Sequence, residues 1–143
     1  MGKVVLDTSV VLALLDRADV HHESAREALA ALVTTDIEYR QPAVVFAEAL
    51  VAAAKIGPKE LQQAKRLLVK SFGPVYDVDA LVAEAAAVLR ARHPWLRLPD
   101  ALILATAGRE RVDVVLTADK RWAKVSDNVQ VIGRDGRRPG RAG

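Results

Sequence analysis

Four acidic residues, Asp7, Glu48, Asp100 and Asp119, stand where a carboxylate has chemical consequences. Asp7 follows directly on the apolar run that ends at Leu6, and Asp119 comes two residues after the run Val112 to Thr117. Asp100 falls in the first turn of a predicted helix, where peptide N–H groups and the positive dipole end favour negative charge. Glu48 interrupts an apolar helical stretch, Val44-Val45-Phe46-Ala47 before it and Ala49-Leu50-Val51 after it. It either lies on a solvent stripe or points at something that neutralises it. Gathered together, four such carboxylates would form an all-oxygen site for a hard divalent cation, Mg²⁺ or Mn²⁺. A cation of that kind polarises a phosphoryl oxygen and lowers the pKa of a bound water towards neutrality.

Each acid also has a plainer reading. Asp7 suits a helix entry, Asp100 a helix start, Asp119 the first position of a Thr-Ala-Asp-Lys turn, and Glu48 a wet helix face. A magnitude separates the readings once the four are taken as a set. Two carboxylates ~5 Å apart repel by roughly 3 kcal/mol at an effective dielectric near 20. A fold gains nothing from four of them in one cleft unless they are protonated or bound to metal. Other candidates carry less. The chain has no cysteine, which excludes thiolate metal sites and disulfides. His21, His22 and His93 make no ligand spacing, and the first two are expected at the surface. Ser9 lacks His and Asp partners for nucleophilic catalysis. Lys59, Lys65, Arg66, Lys70, Arg90, Arg92 and Arg97 could contact phosphates, although charged helix faces are usually just solvated.

The elements that must position these residues follow from the hydrophobic pattern. Strands are predicted over Lys3 to Leu6, Ile37 to Arg40, Val75 to Val78, Val112 to Thr117 and Val129 to Ile132. Helices are predicted from Val10 to about Asp16, capped by Ser9 or Thr8, and from His22 to Val33. Two more run from Val44 to Lys55, closed by Gly57-Pro58, and from Lys59 to about Lys70. Asp79 caps an Ala-rich helix reaching about Arg92, and Pro99 opens a helix that continues to about Arg109. A helical turn holds Lys120 to Lys124. Strands alternating with helices imply a mainly parallel sheet covered on both faces, with ligands beyond the carboxyl ends of its strands. Asp7 and Asp119 both fall at that edge.

The chain has 143 residues, a length suited to one compact domain, and 27% of them are charged, as is ordinary for a globular protein. The net charge of +3 has a location. The last eleven residues hold four of the 21 basic and one of the 18 acidic side chains, leaving 17 of each in the body. Residues 134–143 therefore read as a basic tail, either a solvated end or a phosphate-binding arm. No run is long enough to span a bilayer, and Asp7 breaks the one that would begin a signal peptide, so a cytoplasmic protein is expected.

Taken in order, four segments resemble the successive motifs of PIN-domain nucleases. They are Val-Val-Leu-Asp7-Thr8-Ser9, Phe46-Ala47-Glu48-Ala49-Leu50, Asp100-Ala-Leu-Ile-Leu-Ala-Thr-Ala107, and Val-Leu-Thr117-Ala-Asp119-Lys-Arg-Trp122. The resemblance is strongest to the VapC toxins of bacterial toxin–antitoxin pairs and runs from Lys3 to about Gly133. It implies an α/β, PIN-like three-layer fold over residues 1–133, with a five-stranded, mainly parallel sheet flanked by helices. It also implies a Mg²⁺-dependent endoribonuclease, with Mn²⁺ able to substitute, acting on structured RNA such as tRNA or rRNA. Asp7, Glu48, Asp100 and Asp119 map onto the family's acidic site, with Thr8 and Thr117 as supporting hydroxyls. A VapB-like antitoxin partner and a homodimer are further implications. Two positions depart from the family pattern: Trp122 replaces a common Phe, which points to packing, and Pro99 replaces a small polar residue. Asp119 falls at the family's most variable acidic position. A haloacid-dehalogenase reading is excluded because position 9 is Ser, where that site needs a second Asp. A receiver domain would show paired acids that are absent here. The remaining alternative is a catalytically inactive PIN-like module that binds RNA or a protein partner.

Overall fold

The computed structural model describes residues 2–32 and 36–133. The expected basic tail, 134–143, and Val33 at the end of the second predicted helix lie outside the described residues. The chain divides into two compact units, Met1–Glu38 with Val112–Gly143, and Tyr39–Arg111.

In the first unit, β1 (Gly2–Leu6) leads into α1 (Thr8–Leu15), followed by α2 (His22–Leu32). The chain then forms β2 (Ile37–Tyr39) and, much later, β5 (Val114–Thr117), a 3₁₀ turn (Lys120–Lys124) and β6 (Val129–Val131). These strands make a four-stranded sheet in the order β2-β1-β5-β6. β1 runs parallel to β5 with Leu6 opposite Leu116, and β5 runs parallel to β6 with Thr117 opposite Val131. Val4, Val5, Val115 and Leu116 are almost wholly buried. Successive side chains point to opposite faces, so burial of consecutive residues means that both faces are covered. α1 packs against β1, β5 and α2. Because the strands run parallel, their carboxyl ends share one edge, and Asp7 and Thr117 stand on it.

The second unit opens with β3 (Gln41–Pro42) and α3 (Ala43–Ile56), then α4 (Pro58–Phe72), β4 (Val75–Tyr76), α5 (Ala80–Arg92) and α6 (Leu98–Arg109). Here the structure corrects the expectation of five strands in one sheet. The predicted strand from Val75 shortens to two residues and pairs with Gln41–Pro42 as a separate parallel ladder. Pro42 has no N–H to extend that ladder and is itself the cap position of α3. On the other strand Asp79 soon turns the chain into α5. Its carboxylate accepts from the Val82 N–H at 3.0 Å and pairs with Arg109. The Val82 bond, then Arg109, holds the Asp79 carboxyl below the ordinary carboxylate range.

Gln41 is buried, and its Nε2 donates to the carbonyls of Leu68, at 3.1 Å, and Gly73, at 2.9 Å. One side chain thereby satisfies orphan carbonyls at the end of α4 and ties that end to β3. Gly73 has φ of +84°, and a Cβ there would lie 2.0 Å from the Tyr39 carbonyl oxygen. Both the backbone conformation and the close approach demand glycine. Gly73→Ala should lower the unfolding free energy by about 2 kcal/mol or more, read from a denaturant melt. An unchanged midpoint would contradict this packing.

Candidate functional site

At the carboxyl end of β1, Asp7 leaves the strand in an extended conformation, φ −64° and ψ 156°, and occupies the N-cap position of α1. The helix therefore starts earlier than the sequence predicts, at Thr8, and Thr8 and Ser9 lie inside it. The Asp7 carbonyl accepts from the N–H groups of Val10 and Val11, while its own N–H donates to Leu116 O at 2.8 Å. The carboxylate makes no capping bond. It is turned instead towards the end of β5.

Asp7 is 6% exposed, and its Oδ2 accepts two hydroxyl bonds, from Thr117 Oγ1 at 2.8 Å and from Ser9 Oγ at 2.9 Å. Each hydroxyl is itself oriented by a backbone donor. Thr117 Oγ1 accepts from the Asp119 N–H at 3.1 Å, and Ser9 Oγ accepts from the Ala118 N–H at 3.3 Å. A hydroxyl that receives an N–H on its lone pair has its own proton left to aim at the carboxylate. Both bonds favour the charged form of Asp7 in a buried position. The turn after β5 thus fixes the direction of a side chain that follows β1. Thr117 joins Asp7 as expected, whereas Ser9 is a supporting residue that the sequence reading passed over. Its signal was there: a hydroxyl two residues after an acid, at a helix start, is well placed to bond back to it. Thr8 lies half-buried at the first position of α1.

Asp119 caps the 3₁₀ turn through the Arg121 N–H at 3.0 Å. The Arg121 guanidinium also grips both of its carboxylate oxygens, Nε to Oδ1 at 3.1 Å and Nη2 to Oδ2 at 2.8 Å. The turn-starting role weighed for Asp119 is therefore present in the structure.

In the second unit, Asp100 is the third residue of α6 and 8% exposed. Arg97, at the cap position of that helix, spans its two oxygens, Nε to Oδ2 at 3.2 Å and Nη2 to Oδ1 at 3.3 Å. Glu48 is half-buried on α3, which packs against α6. Thus Asp7, Thr117 and Asp119 are joined through hydrogen bonds in one unit, and Glu48 and Asp100 belong to the other. Among the described residues no three His, Cys, Asp or Glu side chains form a group that could hold a metal ion.

Several lesser candidates resolve into structural roles. His21 and His22, expected at the surface, are half-buried, and the His22 ring meets the Ala13 carbonyl at 2.7 Å. Arg90 is tied to the carbonyls of Pro94 and Leu96. Trp122 is buried, in keeping with the packing role expected of it. No described helix is long and apolar enough to cross a membrane.

The family profile of the PIN domain matches residues 4–128, nearly nine-tenths of the chain. The chain belongs to the PIN domain family. A toxin–antitoxin complex from Klebsiella pneumoniae is similar in structure, with 26% identity, a TM-score of 0.68, and 88% of this chain and 94% of that one covered. VapC20 from Mycobacterium tuberculosis, described as a sarcin–ricin loop cleaving toxin, matches at 19% identity and a TM-score of 0.68, covering 86% of this chain and 95% of that one. VapBC2 from Rickettsia felis, solved bound to a promoter DNA fragment, matches at 16% identity and a TM-score of 0.70, with 92% and 99% covered. Among curated proteins none matches. The mainly parallel sheet flanked by helices is that of the PIN fold, with four strands in this chain's main sheet.

The hydroxyl pair makes a specific demand on position 7. An Asn carbonyl oxygen can accept the same two bonds, so Asp7→Asn should leave the metal-free stability within about 1 kcal/mol of wild type or above it. Asp7→Ala strands the buried Thr117 hydroxyl and should cost about 1–3 kcal/mol. Denaturant melts of both variants in chelator check this, and equal loss in the two would contradict the arrangement.

Proposed function

We propose that this PIN-domain protein is a metal-dependent endoribonuclease, the toxin of a toxin–antitoxin pair. The observation that carries the proposal is the buried Asp7 carboxylate, held charged and aimed by two hydroxyls at the carboxyl edge of a parallel sheet. That edge is where ligands of such sheets bind. Around Asp7 the donor set is oxygen only, carboxylate and hydroxyl, which fits a hard divalent cation and not a thiophilic one.

Asp7, Glu48, Asp100 and Asp119 are assigned as the acidic residues that hold Mg²⁺, with Mn²⁺ able to replace it. When bound, the ion supplies Lewis acidity at a phosphoryl oxygen and a lowered pKa for water. The chain's own work is preorganisation. Thr117 and Ser9 keep the Asp7 oxygens from turning to another rotamer, so no reorganisation is required when the ion arrives. Thr8 adds a third hydroxyl at the start of α1, in reach of a metal-bound water or a phosphate oxygen. Membership of the PIN family and the recurrence of toxin–antitoxin complexes among similar structures support a toxin with an antitoxin partner of the VapB kind. They also support structured RNA as substrate, a tRNA or an rRNA loop, because an unstacked loop can bring a single strand to a recessed ion. A homodimer acting in the cytoplasm completes the proposal.

A catalytically inactive module that binds RNA or a partner is the competing reading. The arginine clamps on Asp100 and Asp119 favour it, since they give both acids a structural use. Incubating end-labelled tRNA and rRNA fragments with the protein separates the two. Cleavage with Mg²⁺, its loss with chelator, and its loss in Asp7→Asn, by 100-fold or more, are the expected results. RNA that is bound but never cut, with Mg²⁺ or Mn²⁺ supplied, would overturn the nuclease reading.

A further inference from the structure

Two of the four proposed metal-holding acids carry the same accessory. Asp100 is bridged by the guanidinium of Arg97, three residues before it, and Asp119 by that of Arg121, two residues after it. In both pairs the acid is the more sheltered partner. The Asp100 side chain is 11% exposed against 72% for Arg97, and the Asp119 side chain is 27% exposed against 55% for Arg121. Both arginines are therefore joined to the site by their guanidinium tips and are otherwise in water.

We infer that Arg97 and Arg121 are displaceable counter-ions: each neutralises its carboxylate until a divalent cation takes it, and then turns its guanidinium to a phosphate of the bound nucleic acid. This rests on the metal-dependent reading above. Three physical points lead to it. A carboxylate as sheltered as that of Asp100 is costly to keep ionised without a positive partner, and Arg97 supplies one. The pairing is loose enough to exchange. Its two bonds, at 3.2 and 3.3 Å, are longer than the 2.7–2.9 Å of tight charge-assisted bonds, and a guanidinium mostly in water forfeits little on leaving. A divalent ion on the same oxygens would repel a guanidinium beside it, and the planar fork so released matches a phosphate. Net charge near the site is then conserved across the exchange, which limits the repulsion among acids in the metal-free protein. Arg97 and Arg121 are positioning residues in this scheme. They compete with the metal and prepare the phosphate contact.

Calorimetric titration of the full chain with MnCl₂, in the absence of RNA, tests it. Arg97→Gln should bind Mn²⁺ about fivefold more tightly than wild type, the ratio that corresponds to an ion pair of about 1 kcal/mol. Arg97→Lys, which keeps the charge, should return the affinity towards the wild-type value. The same Gln variant should bind a structured RNA more weakly in Mn²⁺ and less steeply with salt, by one phosphate contact. A purely structural Arg97 would instead give Gln and Lys variants alike in both measurements. Arg121→Gln gives an independent arm within the other unit. Wild type and Arg97→Gln binding Mn²⁺ equally, or the variant binding it less tightly, overturns the counter-ion role while leaving the metal reading intact. Wild-type protein that takes up no Mn²⁺ at all overturns the metal reading and this inference with it.

Discussion

A buried carboxylate bonded to two hydroxyls, Asp7 with Thr117 and Ser9, is the interaction on which the first unit's chemistry depends. It exists because β1 and β5 are parallel neighbours in register, so that the residues ending both strands arrive at the same edge. The sheet positions Thr117, the turn after it orients two hydroxyls by backbone N–H groups, and those hydroxyls orient Asp7. Every link is short and local except the strand pairing itself. A shift of that pairing by one residue would turn Thr117 to the opposite face and release the carboxylate. Burial of Val115 and Leu116 beside it makes such a shift costly.

The second unit handles its acids differently. Asp100 is sheltered at the start of α6, where the helix dipole favours a negative charge, and Arg97 spans its oxygens from the cap position. Asp119, in the first unit, repeats the arrangement with Arg121. Hydroxyls hold one acid without neutralising it, and guanidinium groups neutralise the other two. The difference matters for chemistry, because a hydroxyl-held carboxylate keeps its full charge for a cation. An arginine-held one must first give up its partner.

Much of this was legible in the sequence because strong local signals agree with the fold. The runs Lys3 to Leu6 and Val112 to Thr117 pair as parallel strands, Asp79 caps its helix, and the order of the four motifs matches the PIN domain profile. What sequence could not give was pairing at a distance. Val75 has the composition of a sheet strand, yet its partner is the Gln41–Pro42 segment, a contact set by Gly73 against Tyr39 and not by hydrophobicity. Ser9 was weighed as a nucleophile and set aside for lack of a base, although its bond to Asp7 needs none. Thr8 and Ser9 looked like caps because hydroxyls cap helices, but the residue before them took that position. Arg97 could be noticed only as one basic residue among many, since its value lies in what its guanidinium spans. That Asp7, Glu48, Asp100 and Asp119 act together is an assignment resting on family membership and carboxylate chemistry.

The central claim is that Asp7 is a carboxylate held ready for a divalent cation, and a thermal melt in chelator and then in excess MnCl₂ tests it most directly. Binding to the native state alone, at about 100 times the dissociation constant, adds about 2.7 kcal/mol to stability, a shift of several degrees. Wild-type protein should show that rise, and Asp7→Asn, which keeps the two hydroxyl bonds but loses the charge, should not. A rise of equal size in both proteins, or none in wild type, would contradict the account.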